Sequence, residues 1–398
     1  MAKLLSLKQF ALKETDASLE MVKHVISAHA QGKNLVMSPL SIHLLLAMTA
    51  AGSSGPTRSQ LLTYLRSQSL EELTSLFSMI ARAVLRDGSG RGGPLLSTKN
   101  GLWVDQRFTL KPVFRDIIHN SYKAVAELVD FQNQSEEARQ QVNAWAEKET
   151  NGLVKEIVPP DSINELTRLI LANAIYFKGA WNQVFDASRT RHLDFYLLNG
   201  TPIQAPFMTS WCLQRVRAFD GFKVLQLPYK QGSDKRSFSM CIYLPDARDG
   251  LPALIERICS EPEFINGHLP SGVEWLDAFR IPKFKIGFEF EASDVLKGLG
   301  VVLPFLEKED AGLAEMVDSE TVLFVSRMRH KAFVEVNEEG TEAAAVTEEE
   351  DEDMGCSFME DEKPRLEFVA DHPFLFLIRE DTTGLLLFVG QLLNPLAD

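Results

Sequence analysis

The periodicity of the apolar residues changes near residue 165, and this change constrains the fold most strongly. Before it, helical spacing dominates: Ser69 can cap a helix whose apolar residues recur at Leu73, Phe77, Ile80 and Val84. After it, segments rich in Val, Ile, Phe and Leu alternate with turn residues, which indicates strands. The predicted strands are 169–178, 222–229, 238–244, 274–286, 321–328, 331–337, 367–379 and 385–393.

Two more helices are predicted in the first part of the chain. Ser135 can cap a helix over 136–150, and Asn151-Gly152 can end it in a left-handed turn. The segment 42–51 is apolar nearly all round, which is typical of a helix at the centre of a core. Helices followed by several strands, without a long Pro/Ser/Gly linker, predict a single α+β domain over 1–398.

Sequence motifs for catalysis or cofactor binding are lacking. A literal GxGxxG occurs at Gly88, Gly90 and Gly93, but a predicted helix precedes it and a proline follows, whereas a dinucleotide site needs a strand before and a helix after. We therefore predict an interhelical loop there. The chain contains no HExxH, Walker A or GxSxG motif, and no specific Cys/His spacing. We expect neither an enzyme nor a bound cofactor or metal.

Charge and targeting signals limit the partners and the location. The 398 residues carry a formal charge of -14, which repels nucleic-acid backbones and anionic lipids. No apolar run approaches the ~20 residues of a membrane span. The four cysteines form no CxxC pair, and residues 1–15 lack an apolar core of signal-peptide length. We expect a cytoplasmic or nuclear protein without nucleic-acid or membrane partners.

Most of the negative charge lies in one long connection, residues 338–367. It contains thirteen acidic and two basic residues, so its charge is 2 - 13 = -11 out of -14. Connections inside compact domains usually span ~4 to 6 residues, and much longer ones are functional or disordered. A solvated acidic loop is one interpretation of this segment.

A second interpretation starts from the small residues at the beginning of the connection. Gly340 permits a reversal of the backbone. If the following arm lay in a sheet, Thr341, Ala343, Ala345 and Thr347 would share one face, because side chains alternate along a strand. Such small side chains could enter between existing strands without a clash.

Six motifs, which follow one another along the chain in the right order, resemble the serpin family over essentially the whole sequence. Asn337 to Ala345 resembles the proximal hinge of the reactive-centre loop in inhibitory serpins. The others are Asn34-Leu-Val-Met-Ser-Pro-Leu-Ser41, Leu171-Ala-Asn-Ala-Ile-Tyr-Phe-Lys-Gly-Ala-Trp181, His330-Lys-Ala-Phe-Val-Glu-Val336, and Asp371-His-Pro-Phe374 with Phe388-Val-Gly-Gln391. The resemblance implies a serpin fold, with about nine helices around three β-sheets and an exposed reactive-centre loop at 338–367. The loop start is most similar to that of plant intracellular members.

The resemblance also implies a protease inhibitor that acts once. A serine or papain-like cysteine protease would cut the loop between Met354 and Gly355, or one residue earlier between Asp353 and Met354, and the freed arm would insert into the central sheet. The partner would be that protease, and the inhibitor a monomer. The hinge residues carried over from the family are Glu338, Glu339, Gly340, Thr341, Glu342, Ala343, Ala344 and Ala345.

Other family positions are expected to control the opening of the sheet. Ser38, Ser41, Asn173 and His330 would form the shutter where the strands part, and Trp181 would lie near the point of first insertion.

The acidic arm leaves an alternative open. Continued alternation would carry Glu349, Asp351 and Asp353 beneath the sheet, where each unpaired charge costs several kcal/mol. Insertion could then stall after Thr347. The alternative is a non-inhibitory interaction protein on the serpin fold, in which the acidic loop binds a basic partner.

Overall fold

The computed structural model describes residues 2–308, 312–341 and 366–397. Within these residues there are nine α-helices: α1 Ala2–Ala28, α2 Pro39–Ala51, α3 Gly55–Tyr64, α4 Leu70–Ala83, α5 Pro112–Tyr122, α6 Ser135–Glu149, α7 Leu251–Ser260, α8 Phe264–Gly267 and α9 Ala292–Gly298. None of the helices described in these ranges is both long and apolar enough to cross a membrane.

The same residues contain eighteen strands. They are β1 Leu35–Met37, β2 Leu95–Asp105, β3 Thr109–Leu110, β4 Ala124–Val129, β5 Leu169–Ala180, β6 Arg191–Tyr196, β7 Pro202–Met208, β8 Arg215–Phe219, β9 Phe222–Pro228, β10 Phe238–Pro245, β11 Ala278–Pro282, β12 Phe284–Glu291, β13 Val317–Asp318, β14 Arg327–Val336, β15 Gly340–Thr341, β16 Glu367–Val369, β17 Phe374–Glu380 and β18 Leu386–Leu392.

The predicted helices form, with one boundary shifted. Ser69 caps α4 by accepting a hydrogen bond from the Glu72 backbone N–H, and every residue of α2 is buried, as its apolar sequence predicted. The prediction that Ser135 caps α6 is wrong, because the helix already includes Ser135 and Gln134 is the N-cap residue. The helix starts one residue earlier because the Gln134 carbonyl already accepts a helical hydrogen bond, from the Ala138 N–H over 2.9 Å.

Several strand predictions need correction. Strands β2 and β4 precede residue 165, so the change from helix to strand is not complete. The predicted strand 274–286 is two strands, β11 and β12, which belong to different sheets, and 367–379 is likewise divided between β16 and β17. Of the predicted strand 321–328 only residues 327 and 328 are in a strand; they begin β14, which continues through most of the predicted strand 331–337 and includes the basic residues Arg329 and Lys331. These polar side chains lie on its outer face, so they do not interrupt it.

The GxGxxG segment is a loop, but not an interhelical one. It forms a short 3-10 turn at Ser89–Arg91 that connects α4 to β2. Gly88 is packed so closely against Arg236 and Asp234 that a β-carbon would lie 2.7 Å from the guanidinium. Tight packing against a neighbouring turn therefore accounts for this glycine.

The strands form three main sheets. The central sheet has the order β12-β14-β15-β5-β2-β4, a second six-stranded sheet has the order β1-β18-β17-β10-β9-β8, and a four-stranded sheet has the order β16-β11-β7-β6. β13 and β3 form a small separate pair. Nine described helices around these sheets confirm the predicted α+β fold class.

Both faces of the central sheet are covered. On β5, Leu171, Ile175 and Phe177 belong to the main core, which also includes α2, whereas Ile170 and Ala172 belong to a smaller core with residues of α6. Odd-numbered residues of β5 therefore face the main core and even-numbered ones face α6.

Candidate functional site

Two strands of the central sheet are paired along most of their length and then separate. β14 and β5 run parallel and pair from Arg327 opposite Ile170 to Phe333 opposite Tyr176. Beyond that point β15 lies between them. Its residue Thr341 is opposite Val336 of β14 and Gly179 of β5, antiparallel to both strands. We call the space between β14 and β5 beyond Phe333 and Tyr176 the gap. The first residues of the predicted hinge occupy the end of the gap that is farthest from the paired region.

Glycine is required at position 340 because the backbone passes very close to β5. A β-carbon at Gly340 would overlap the carbonyl oxygen of Gly179 and would lie 2.7 Å from the Cα atom of Ala180. The Asn337 backbone N–H donates to the carbonyl of Gly340 over 3.0 Å, and its side-chain Oδ1 accepts from the Gly340 N–H, which closes the reversal. The missing side chain therefore lets the chain turn back into the sheet.

Thr341 is held by a buried aromatic pair. Its hydroxyl lies 2.6 Å from the hydroxyl of Tyr229. The Tyr229 ring is stacked on Trp181, with ring centroids 4.7 Å apart. Trp181 donates from its indole Nε1 to the carbonyl of Asn337 over 2.9 Å. Burial raises the pKa of the Tyr229 hydroxyl well above its ordinary value, so it stays protonated and can donate.

The residue that begins the connection, Glu338, is fixed by two side chains from distant parts of the sequence. Its carboxylate lies 2.7 Å from Lys283 Nζ and accepts a 2.7 Å hydrogen bond from Thr190 Oγ1. Burial acts to raise the pKa of Glu338, but the hydrogen bonds from Lys283 and Thr190 outweigh it, and the net pKa is lowered. Backbone hydrogen bonds from Trp181 to Glu339 and from Phe185 to Glu338, each 2.8 Å, add to this attachment.

His330 belongs to the part of β14 that is paired with β5. Its buried side chain contacts the residues at the start of α2. The Ser38 backbone N–H donates to His330 Nε2 over 3.0 Å. Because a backbone N–H can only donate, Nε2 carries no proton, and Nδ1 of the neutral ring can donate to Ser41 Oγ at 3.5 Å. Burial lowers the pKa of His330 to about 3, so the ring is neutral at pH 7.

Asn173 is opposite His330 in the pairing of β5 with β14. Its side-chain nitrogen donates to Asn100 Oδ1 over 2.7 Å. Its Oδ1 is buried and has no hydrogen-bond partner among the described residues. A buried acceptor without a partner costs ~1 to 3 kcal/mol, so a new donor at this position would be stabilising.

The structure therefore brings Ser38, Ser41, Asn173 and His330 together, but at a level where the two strands are still paired rather than where they part. Trp181 lies at the other end, just past β5, against the hinge. Glu342, Ala343, Ala344, Ala345, Asp353, Met354 and Gly355 lie outside the described residues.

Sequence reasoning missed Tyr229, Lys283, Thr190 and Asn100. Each occupies an ordinary position in or beside a strand, and only the tertiary fold brings it to the hinge or the shutter. Within 2–308, 312–341 and 366–397, no group of three or more His, Cys, Asp or Glu side chains is arranged to hold a metal.

The chain matches the family model described as "Serpin (serine protease inhibitor)" over residues 13–395. It is 49% identical over 386 residues to Serpin-ZX of Arabidopsis thaliana, which covers 96% of this chain and 97% of that protein. It is 50% identical over 372 residues to Serpin-ZXA of Oryza sativa subsp. japonica, which covers 93% and 92% of the two chains.

A solved structure of Arabidopsis AtSerpin1 in its native stressed conformation is also similar. It superposes with a TM-score of 0.89 at 46% identity and covers 98% of this chain and 99% of that one. The match extends over nearly the full length of both chains. This chain belongs to the serpin family, whose members are generally protease inhibitors.

Proposed function

We propose that this chain is a suicide-type inhibitor of serine or papain-like cysteine proteases, built as one domain over 1–398. The scissile bond is Met354–Gly355, with Asp353–Met354 as the alternative. The observation that carries this proposal is the position of β15 between β14 and β5, because a strand that has already entered the gap can be extended by the residues that follow it. We expect a cytoplasmic or nuclear monomer.

The register of β15 predicts where the freed arm would lie. Thr341 is opposite Gly179 and Val336, and in an antiparallel strand each further residue moves one position back along both neighbours. This puts Thr347 opposite Asn173 and His330. The inward positions before it would be Ala343, opposite Phe177 and Val334, and Ala345, opposite Ile175 and Ala332.

Small inward side chains fit this path because the facing residues already fill the main core. At its lower end the Thr347 hydroxyl would reach the level of Asn173, whose Oδ1 lacks a donor among the described residues. Insertion would then satisfy a buried acceptor and add ladder hydrogen bonds worth ~0.5 to 1.5 kcal/mol each. These terms supply a driving force for insertion after cleavage.

The chemical step is ordinary acyl transfer that is not completed. The protease nucleophile attacks the carbonyl carbon of Met354, the peptide bond breaks, and the amine of Gly355 leaves with a proton from the protease. Inhibition requires insertion to distort the protease before water cleaves the ester or thioester. Met354 suits an apolar, unbranched pocket, whereas Asp353 would suit an aspartate-preferring enzyme. Neither provides the cation that a trypsin-like pocket binds.

The same register favours a second function. It would put Glu349 opposite Leu171 and Met328, two side chains that are fully buried in the main core. Unpaired carboxylates there would oppose insertion. If the arm stalls, the acidic loop remains available to bind a basic partner. That binding should weaken sharply with salt, and replacing 348–353 by Ser and Gly should abolish it.

The test is incubation with a panel of chymotrypsin-like, elastase-like and papain-like proteases. The inhibitor proposal expects a covalent complex that survives detergent, with the protease attached at Met354 or Asp353 by mass spectrometry. It also expects protein nicked in the loop to melt at a higher temperature than intact protein. No complex with any enzyme, together with unchanged melting after nicking, would reject the proposal.

A further inference from the structure

Two exposed tryptophans lie on two segments that a β-bridge joins. The exposed fractions of Trp211 and Trp275 are 67% and 64%. Their segments are joined at Gln214 and Glu274, which exchange backbone hydrogen bonds of 3.0 and 2.8 Å. Trp275 directly follows one of the bridged residues, and Trp211 comes three residues before the other.

Two more exposed apolar residues lie on the same two segments. Leu213 and Val273, 37% and 50% exposed, occupy alternate positions on the same two segments. We call these four residues the tryptophan patch: Trp211, Leu213, Val273 and Trp275. Large apolar side chains are usually buried, and exposed clusters of them mark interaction sites.

The tryptophan patch borders a cavity of about 410 Å³. Leu213 and Val273 line it, and so do Trp181 and Tyr229, which also contact the start of the acidic connection. Arg215 also lines it and is exposed. An apolar side chain of a partner could enter this cavity, and a carboxylate beside that side chain could pair with Arg215.

Both described ends of the connection 338–367, the proposed reactive-centre loop, lie near this surface. At one end Thr341 contacts Tyr229, which lines the cavity. At the other end the Asp277 backbone N–H donates to the carbonyl of Leu366 over 3.1 Å, two residues beyond Trp275. Two residues of the tryptophan patch thus line the same cavity as Tyr229, and a third, Trp275, lies two residues from the contact with Leu366.

A protease bound to the loop must contact more than the loop. Stable interfaces bury about 800 Å² on each partner, and a protease of ~220 residues has a radius of gyration near 17 Å. Its body would therefore cover surface beside the loop attachments. We propose that the tryptophan patch is a docking surface for the target protease, which presents an apolar side chain and an acidic group there. This inference rests on the proposed inhibitory function.

The test compares two double variants. The first combines Trp211→Ser and Trp275→Ser, and the matched control combines Val113→Ser and Leu166→Ser. Val113 and Leu166 are similarly exposed, at 71% and 65%, but lie outside the tryptophan patch. The measurements are the second-order rate constant of covalent complex formation and the moles of inhibitor consumed per mole of protease, with every panel enzyme that the wild-type chain traps.

The patch variant should lower the rate constant at least tenfold without changing the stoichiometry, because the hinge is intact. The control should stay within twofold. Arg215→Glu, a surface substitution, should lower the same rate constant and reduce its dependence on salt. These results would support the docking surface.

Different failures have different meanings. Complexes that form at wild-type rates in both the double tryptophan variant and Arg215→Glu would overturn the docking surface and leave the inhibitory function standing. A concentration-dependent dimer of the wild-type chain in sedimentation, lost in the tryptophan variant while inhibition rates are unchanged, would assign the patch to a second copy instead. A wild-type chain that traps no panel enzyme would overturn the inhibitory function and the docking surface with it.

Discussion

The Glu338 carboxylate lies 2.7 Å from the Lys283 ammonium, although the two residues are far apart in the sequence. Glu338 is the first residue of the acidic connection 338–367, and Lys283 lies between β11 and β12. Their side chains are 12% and 35% exposed, so solvent screens the pair only in part. The pair fixes the point at which the chain leaves β14 and turns back into the central sheet.

Replacing Glu338 by Lys should loosen this attachment. The ion pair and the Thr190 hydrogen bond are lost, and two like charges are brought together, so we expect a loss of about 1 to 2 kcal/mol in stability after allowance for screening. The variant should melt at a lower temperature and form loop-inserted oligomers on mild heating. The control is Glu335→Lys, because Glu335 on β14 has a looser pair, 3.9 Å from Lys285. Equal oligomer formation in both variants would contradict the proposed role of Glu338.

Gly340→Ala should prevent the hinge from staying in the gap. The added β-carbon would overlap backbone atoms of Gly179, which cannot move as a flexible side chain could. Overpacking of this kind costs about 1 to 3 kcal/mol. We expect a lower melting temperature and more inhibitor cleaved per protease trapped. Gly287→Ala in β12 is the control, because its β-carbon would meet only Phe333 at 3.8 Å.

The neutral state of His330 predicts a pH dependence of stability. Burial lowers its pKa from 6.5 to about 3, so between these values the unfolded chain binds a proton that the folded chain does not. Stability is therefore complete above about pH 6.5 and falls as the pH decreases, by up to ~1.4 kcal/mol per pH unit from this residue. The melting temperature of His330→Gln should therefore depend less steeply on pH than that of the wild-type chain.

The matched control for this pH dependence is the exposed His192. His192→Gln should leave the wild-type curve of melting temperature against pH unchanged. Parallel curves for wild type and His330→Gln between pH 6.5 and 4 would show that the buried imidazole does not contribute.

The acidic residues of the arm should affect the stoichiometry of inhibition differently, depending on the face of the central sheet on which insertion would place them. Extension of the β15 register puts Glu349 and Asp351 on the main-core face, whereas Glu348 and Glu350 would face outward, opposite Arg329 and Arg327. Replacing the inward pair by Ala should lower the moles of inhibitor consumed per protease trapped, since two buried charges of several kcal/mol each are removed.

Replacing the outward pair by Ala is the control and should have little effect or the opposite effect. Lowering the pH toward 5 should bring the wild-type chain closer to the inward variant, because protonation also removes the charge. Identical stoichiometries for the two double variants would show that the arm does not insert beyond Thr347 in this register.

Local signals were sufficient for some elements of the fold. Ser69 caps α4 as predicted because the cap depends on residues within one helical turn. The division of 274–286 into β11 and β12 could not be predicted, because both halves are apolar and only the packing of two sheets assigns each to its own. For the same reason the two predicted segments of β14 appear as one strand.

The family motifs, the small residues after Gly340 and the concentration of acid in one connection can be read from the residues in order, because they are properties of neighbouring residues. Three relationships become visible only in the folded chain: Lys283 and Thr190 hold Glu338, Tyr229 contacts Thr341, and Asn173 Oδ1 has no partner among the described residues. Each of these relationships joins strands that are distant in the chain. Their formation depends on the sheet register and on burial, which no local pattern encodes.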